Sequence, residues 1–227
     1  MIEVRGLEAG YGRAAVLFGV SLEARRGEVA VLLGRNGAGK STTLKAIMGL
    51  LPTQAGEVLL DGQRIDGFEP HRIARLGLAY VPEDRRIFTE LTVAENLEAG
   101  RQAPREGAPR WTPERLFELF PSLGRMQDRP GGRMSGGEQQ MLAIARTLMG
   151  NPRAMLLDEP AEGLAPVLVE QVARTILELT REGLAVLLCE QNLHFARRVA
   201  DRAYLLEQGQ VRRAGALTEL EEAYRSL

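Results

Sequence analysis

Short apolar runs punctuated by glycine open the chain. Ile2 to Leu7 and Val16 to Ala24 predict two strands, separated at Gly10 and Gly12. Val29-Ala30-Val31-Leu32-Leu33 is apolar at every position and not at alternate ones, the pattern of a strand covered on both faces. Thr42 to Leu51 reads as a helix stopped by Pro52. Gly56 to Leu60 and Gln63 to Ile65 flank Asp61-Gly62, a hairpin with its tight turn at Asp-Gly. Leu78 to Val81 predicts one more short strand. From about 84 to 150 the apolar spacing turns helical, and Arg101 to Pro113, rich in proline and arginine, predicts an exposed loop between helices. Beyond it, strand and helix patterns alternate: Ala154 to Leu157, Pro166 to Thr180, Leu184 to Leu188, Asn192 to Ala200, Arg202 to Leu206. That rhythm predicts an α/β fold with a mostly parallel sheet and crossover helices.

Composition narrows the class. The 227 residues are 44% hydrophobic and 26% charged, enough for one large domain with a sizeable core. Basic and acidic residues nearly cancel, 29 against 30, without the basic surplus of a general nucleic-acid binder. The single cysteine, Cys189, lies in an apolar run and reads as a small buried strand residue; its solitude fits a reducing compartment. The first residues do not form a signal peptide, and no segment reaches the ~18 consecutive apolar residues of a membrane helix, so a membrane role requires a partner.

Three segments carry chemistry. Gly34-Arg35-Asn36-Gly37-Ala38-Gly39-Lys40-Ser41 completes G-x-x-x-x-G-K-[ST], directly after the buried strand and before a helix that continues through Thr42. Glycines let backbone N–H groups converge on an anion, and the helix N-terminus adds its positive end. Lys40 supplies a charge to the β- and γ-phosphates, and the Ser41 hydroxyl can ligate Mg²⁺. The segment alone specifies an NTPase. Asp158 and Glu159 end the Ala154 strand, where side chains reach a ligand crevice. Asp158 can hold the hydration shell of Mg²⁺, and Glu159 can polarise the attacking water. Met134-Ser135-Gly136-Gly137-Glu138 precedes a helix running to about Gly150. Ser135 and Glu138 are explained by a capping box. The paired glycines are not, and they allow close approach, for which an anion is one candidate.

With these residues in place the chain resembles the ATPase subunits of ABC transporters over essentially its whole length. Met134 to Glu138 is similar to their signature Leu-Ser-Gly-Gly-Gln, with Met134 and Glu138 as departures. The resemblance implies a P-loop NTPase core with a mostly parallel sheet plus an antiparallel β subdomain, from residues 1–83 and 154–227, and an inserted helical subdomain over 84–153. It implies ATP and Mg²⁺, and a head-to-tail dimer in which each ATP lies between one subunit's phosphate loop and its partner's Ser135, Gly136, Gly137 and Glu138. Tyr11 matches the aromatic that stacks on adenine; an ordinary half-buried strand-end tyrosine is the plainer alternative. Glu83 stands where the family has a Mg²⁺-linked Gln, Gln191 where it has a switch His, and Ala161 where it has a Ser. Gln191 can donate a hydrogen bond but cannot carry a proton charge, which weakens any role as a charged acid.

The runs Val81 to Phe88, Glu162 to Pro166 and Glu190 to Leu193 resemble the branched-chain amino acid uptake subgroup, in particular the shorter of its two ATPases. Urea and short-amide importers carry similar subunits. The resemblance therefore implies a homo- or heterodimer on the cytoplasmic face of a membrane, working with integral permease subunits and indirectly with a solute-binding protein. Arg85, Arg86, Ile87 and Phe88 are candidate contacts for the permease, or else a solvated arginine pair beside a core Phe. His71 and His194 have no metal-like spacing; Trp111 serves either as a helix anchor or as a partner contact. Two rival readings are a nucleic-acid-handling ATPase, which ordinarily carries two cassettes or a coiled-coil insertion absent here, and a regulatory subunit that binds ATP without turnover, against which the intact Glu159 argues.

Overall fold

The computed structural model describes residues 1–226. The first sheet is antiparallel. Strands β1 (Ile2–Tyr11) and β2 (Ala14–Ala24) pair directly, and β1 also pairs with β4 (Thr53–Leu60). Both opening strands run longer than the apolar pattern predicts, because two residues, Gly12 and Arg13, suffice to reverse the chain. The hairpin from β4 to β5 (Gln63–Arg64) forms as expected, with Asp61 at φ 49° and Gly62 at φ 82°, the paired left-handed conformations that suit the strand twist.

The second sheet has six strands in the order β10-β9-β3-β8-β7-β6. They are β3 (Val29–Leu33), β6 (Leu78–Val81), β7 (Ala154–Asp158), β8 (Ala185–Glu190), β9 (Arg202–Glu207) and β10 (Gln210–Gly215). All neighbours are parallel except β10, which runs against β9. Every residue of β3, β7 and β8 is buried, which is why these strands read as unbroken apolar runs. Val29, Val31 and Leu33 face one core and Ala30 and Leu32 the other. The second core lies against the antiparallel sheet and α1 (Lys40–Ile47). Helix α1 ends before the predicted Leu51: Gly49 takes φ 72°, and a Cβ there would lie 2.5 Å from the Phe68 carbonyl oxygen. The stop is therefore glycine, not Pro52.

Helix α2 (Pro70–Leu76) leads into β6. Between β6 and β7 the chain holds α3 (Val93–Gly100), α4 (Pro113–Leu119), α5 (Pro121–Gly124), a single 3₁₀ turn and α6 (Gly136–Leu148). After β7 come α7 (Pro166–Arg181), α8 (Leu193–Val199) and, past β10, α9 (Leu217–Arg225). The segment before α4 is the mostly exposed loop expected, and it is pinned at a few points. Arg105 donates to the carbonyls of Ala74 (3.0 Å), Arg75 (3.1 Å), Asn151 (3.0 Å) and Gly150. The Asn151 side chain accepts from Trp111 N (2.7 Å) and donates to Gln102 O (2.9 Å). Trp111 is buried in the core with Leu116 and Phe120, so it is a helix anchor. His71 and His194 are both exposed.

Candidate functional site

The phosphate loop joins β3 to α1 and is curled by its own lysine. Lys40 Nζ donates to Gly34 O (2.9 Å) and Arg35 O (3.2 Å), and Thr43 Oγ1 donates to Gly39 O (2.9 Å). Gly39 takes φ 108°, and a Cβ on it would stand 2.9 Å from Leu17 Cδ2, so the turn into α1 admits no side chain. Among the described residues the N–H groups of Gly37 and Gly39 donate to no backbone carbonyl, leaving them free for an anion at the helix N-terminus. A cleft of about 490 Å³ opens beside them, lined by Asn36, Gly37, Gly39, Lys40, Ser41, Thr42, Glu83 and Glu159. Tyr11 stands at its mouth, 49% exposed. Gly34 and Ala38 build the base of the loop without lining this cleft.

Two carboxylates meet the loop. Asp158, the last residue of β7, accepts from Ser41 Oγ (3.0 Å) through Oδ1 and from the Tyr80 hydroxyl (3.2 Å) through Oδ2. Burial pushes the Asp158 carboxyl up; the bonds from Ser41 and Tyr80 oppose this, and the charges of Glu83 and Glu159 reinforce it. Glu159 turns away from the strand at φ 44°. Its Oε1 lies 3.0 Å from Lys40 Nζ, and its Oε2 accepts from Gln191 Nε2 at 3.0 Å. Glu162 lies beside them, its carboxyl raised by burial and by Glu159. One buried ammonium thus faces several carboxylates. Ser41 Oγ and Asp158 Oδ1 are adjacent hard oxygen donors, with Glu83 at the rim. This donor set fits Mg²⁺ brought in with phosphate oxygens. Among the described residues no three His, Cys, Asp or Glu side chains converge to hold a metal without such help.

The signature residues lie elsewhere: none of Ser135, Gly136, Gly137 and Glu138 lines the cleft. Ser135 caps α6, and its capping box with Glu138 is complete in both directions. Gly136 is exposed. Gly137 is buried, and a Cβ on it would fall 2.0 Å from Leu168 Cδ1. The close approach inferred from the glycine pair is therefore, for Gly137, an internal contact with α7. A second depression of about 420 Å³ runs between the core and the inserted helices, lined by Leu50, Tyr80, Arg86, Phe88 and Arg146. Of the four predicted contacts only Arg86 and Phe88 line it: Ile87 packs on the core, and Arg85 lies near Gly136. Tyr80, Glu190 and Tyr224 were not anticipated. Glu190, a charge ending an apolar strand, carried the one visible signal.

Comparison with known proteins gives this arrangement its relatives. The family model described as ABC transporter matches residues 17–162, which span the phosphate loop through Glu159. The branched-chain amino acid transport ATP-binding protein BraG of Pseudomonas aeruginosa is 44% identical over 88% of this chain and 86% of its own length. A probable LivF of Archaeoglobus fulgidus is 37% identical over 98% and 94%. The lipopolysaccharide export ATP-binding protein LptB of Escherichia coli is 35% identical over 96% and 92%. Among solved structures, an ATP-binding subunit of an ABC transporter superposes with a TM-score of 0.85 at 31% identity, covering 99% of this chain and 93% of that one. Sequence, fold and site agree, and the chain belongs to the ABC transporter family, as one of its ATP-hydrolysing subunits.

Proposed function

We propose that this chain powers uptake of branched-chain or other hydrophobic amino acids, as one of a pair of ATPase subunits docked on separate membrane permeases. The observation that carries the catalytic part is the placing of Glu159 between Lys40 and Gln191. Phosphate oxygens entering the loop compete with Glu159 for the Lys40 ammonium, as a more highly charged partner in the same cradle. Release of Glu159 from Lys40 frees a carboxylate to accept the proton of a water aligned on the γ-phosphate. Gln191, still bonded to Glu159, orients it and donates toward the phosphate. Ser41 and Asp158, with Glu83 in reach, would hold Mg²⁺, which would supply positive charge to the phosphates. Tyr11 stacks on the adenine, while Ser135, Gly136, Gly137 and Glu138 of a second subunit complete each site. The chain itself has no helix, among the described residues, long and apolar enough to cross a membrane. The depression with exposed Leu50 and Phe88 is where a permease segment docks on the cytoplasmic side.

The similarity to BraG, higher than that to LptB, supports uptake of amino acids over export, with urea or short amides as the neighbouring alternative. The test is ATP hydrolysis by the full chain, wild type beside Glu159→Gln, with size-exclusion chromatography in ATP. Loss of about 10²–10⁴ in rate, with an ATP-dependent dimer in the variant, is expected. A variant as fast as wild type ends the assignment of Glu159. For the solute, vesicles carrying the complete transporter should couple hydrolysis to leucine uptake; coupling to urea alone would transfer the assignment to the amide group.

A further inference from the structure

Gln191 follows β8 directly, and its backbone N–H, its carbonyl and its side-chain NH₂ each have a partner. Its side-chain amide donates to Glu159 Oε2 at 3.0 Å. Its backbone N–H donates to Glu190 Oε2 at 3.1 Å, and its carbonyl accepts from the Tyr224 hydroxyl at 2.7 Å. We propose that Glu190 and Tyr224 are positioning residues for ATP hydrolysis: they grip the backbone of Gln191 from two sides and so fix the direction in which its amide meets Glu159. The proposal rests on the role given above to Gln191.

Three features single this clamp out from ordinary loop packing. Glu190 is a carboxylic acid only 2% exposed, at the end of an otherwise apolar strand, and its Oε1 has no partner. An apolar residue would fill that place without the cost of a half-satisfied buried acid, but it would leave two N–H groups unbonded. Glu190 Oε2 accepts from both Gln191 N and Asn192 N (3.1 Å each), while Asn192 Oδ1 caps α8 through His194 N (2.9 Å) and Phe195 N (3.2 Å). The acid therefore ties the turn to a fixed helix start. Its own carbonyl accepts from Gly34 N at 3.3 Å, so the same residue joins the turn to the first glycine of the phosphate loop.

Tyr224 comes from the opposite side. It rides on α9, which docks through buried Leu217 and Leu220 and through an ion pair between Arg197 on α8 and Glu221. Glu190, Gln191 and Tyr224 all lie outside the lining of the nucleotide cleft, but only Gln191 bonds to Glu159, which lines it, so Glu190 and Tyr224 act through Gln191.

The experiment measures kcat and KM for ATP on the complete complex of this chain with its membrane subunits. Tyr224→Phe removes one hydroxyl and keeps the ring, and it should lower kcat about threefold to tenfold at unchanged KM. Gln191→Ala should lower kcat as well, and adding Tyr224→Phe to it should cost nothing more, because the amide being positioned is gone. Glu190→Leu should lower kcat, and Glu190→Gln, which keeps an accepting oxygen, should restore most of it. If Gln191→Ala changes nothing, the catalytic role of Gln191 falls and the clamp with it. If Gln191→Ala lowers kcat while Tyr224→Phe does not, the clamp alone falls. An equal loss from Tyr224→Phe in both backgrounds also overturns it, since that marks general stabilisation.

Discussion

Burial gives Glu190 a titration that can be read independently of catalysis. Desolvation pushes its carboxyl from 4.5 up to about 7; the bonds from Asn192 and Gln191 and the charge of Lys40 oppose this, and the charge of Glu159 adds to it. Below 4.5 both folded and unfolded chains hold the proton. As pH rises, the unfolded chain releases it first, so the folded state loses stability until the folded group ionises near 7. The loss between pH 4 and 8 is about 3 kcal/mol. Glu190→Gln removes this term. The difference in unfolding free energy between variant and wild type, from urea titrations at pH 5 and pH 8, should move toward the variant by about 2 kcal/mol or more at the higher pH. A difference that stays constant would mean that Glu190 titrates normally. Lys40, Ser41, Asp158 and Glu159 were legible in the sequence because motif spacing fixes them on one strand-to-helix turn each. Tyr224 was not, because its partner lies 33 residues away and only the docking of α9 brings them together.

Helix α6 shows what an element adds to a motif. Its start was readable as a capping box, and the box is present. The destination of the glycine pair was not readable, because Leu168 belongs to α7 and reaches Gly137 only through the fold. Alanine at an interior helix position ordinarily gains about 1 kcal/mol over glycine. At Gly137, the second residue of α6, its methyl group would fall 2.0 Å from Leu168 Cδ1, the end of a half-buried side chain that can turn aside at a cost of about 0.5–1.5 kcal/mol. The two effects nearly cancel, so Gly137→Ala should change stability by no more than about 1 kcal/mol, and the same substitution should become stabilising once Leu168→Ala has cleared the space. Urea midpoints of the four proteins test this: equal effects in both backgrounds would show that α7 does not restrict Gly137. The segment 101–112 is the loop between helices that the sequence predicts, but its anchoring was not readable for a related reason. Its prolines and arginines look solvated, but Arg105 spends its guanidinium on the ends of α2 and α6.

At the scale of the whole molecule, the phosphate loop and the start of α6, which the sequence assigns to the two halves of a site shared between subunits, fall on separate parts of the surface. Hydrogen bonds and an ion pair join the phosphate loop, Asp158, Glu159 and Gln191, while the start of α6 lies outside the cleft beside the loop. A second copy offering its α6 start to this cleft would make two composite sites. Lys40→Ala removes the charge from one face. Gly136→Asp places an acid on the other, at an exposed position where the helix N-terminus and nearby Arg85 accommodate it in the fold but where it repels phosphate. In a mixed dimer of the two variants, one site carries both lesions and the other neither. Random pairing of equal amounts makes half the dimers mixed, each with one intact site of two, so two inactive proteins should recover about a quarter of wild-type hydrolysis on mixing. No recovery would overturn a homodimer with independent composite sites and direct attention to a different ATPase chain as the partner.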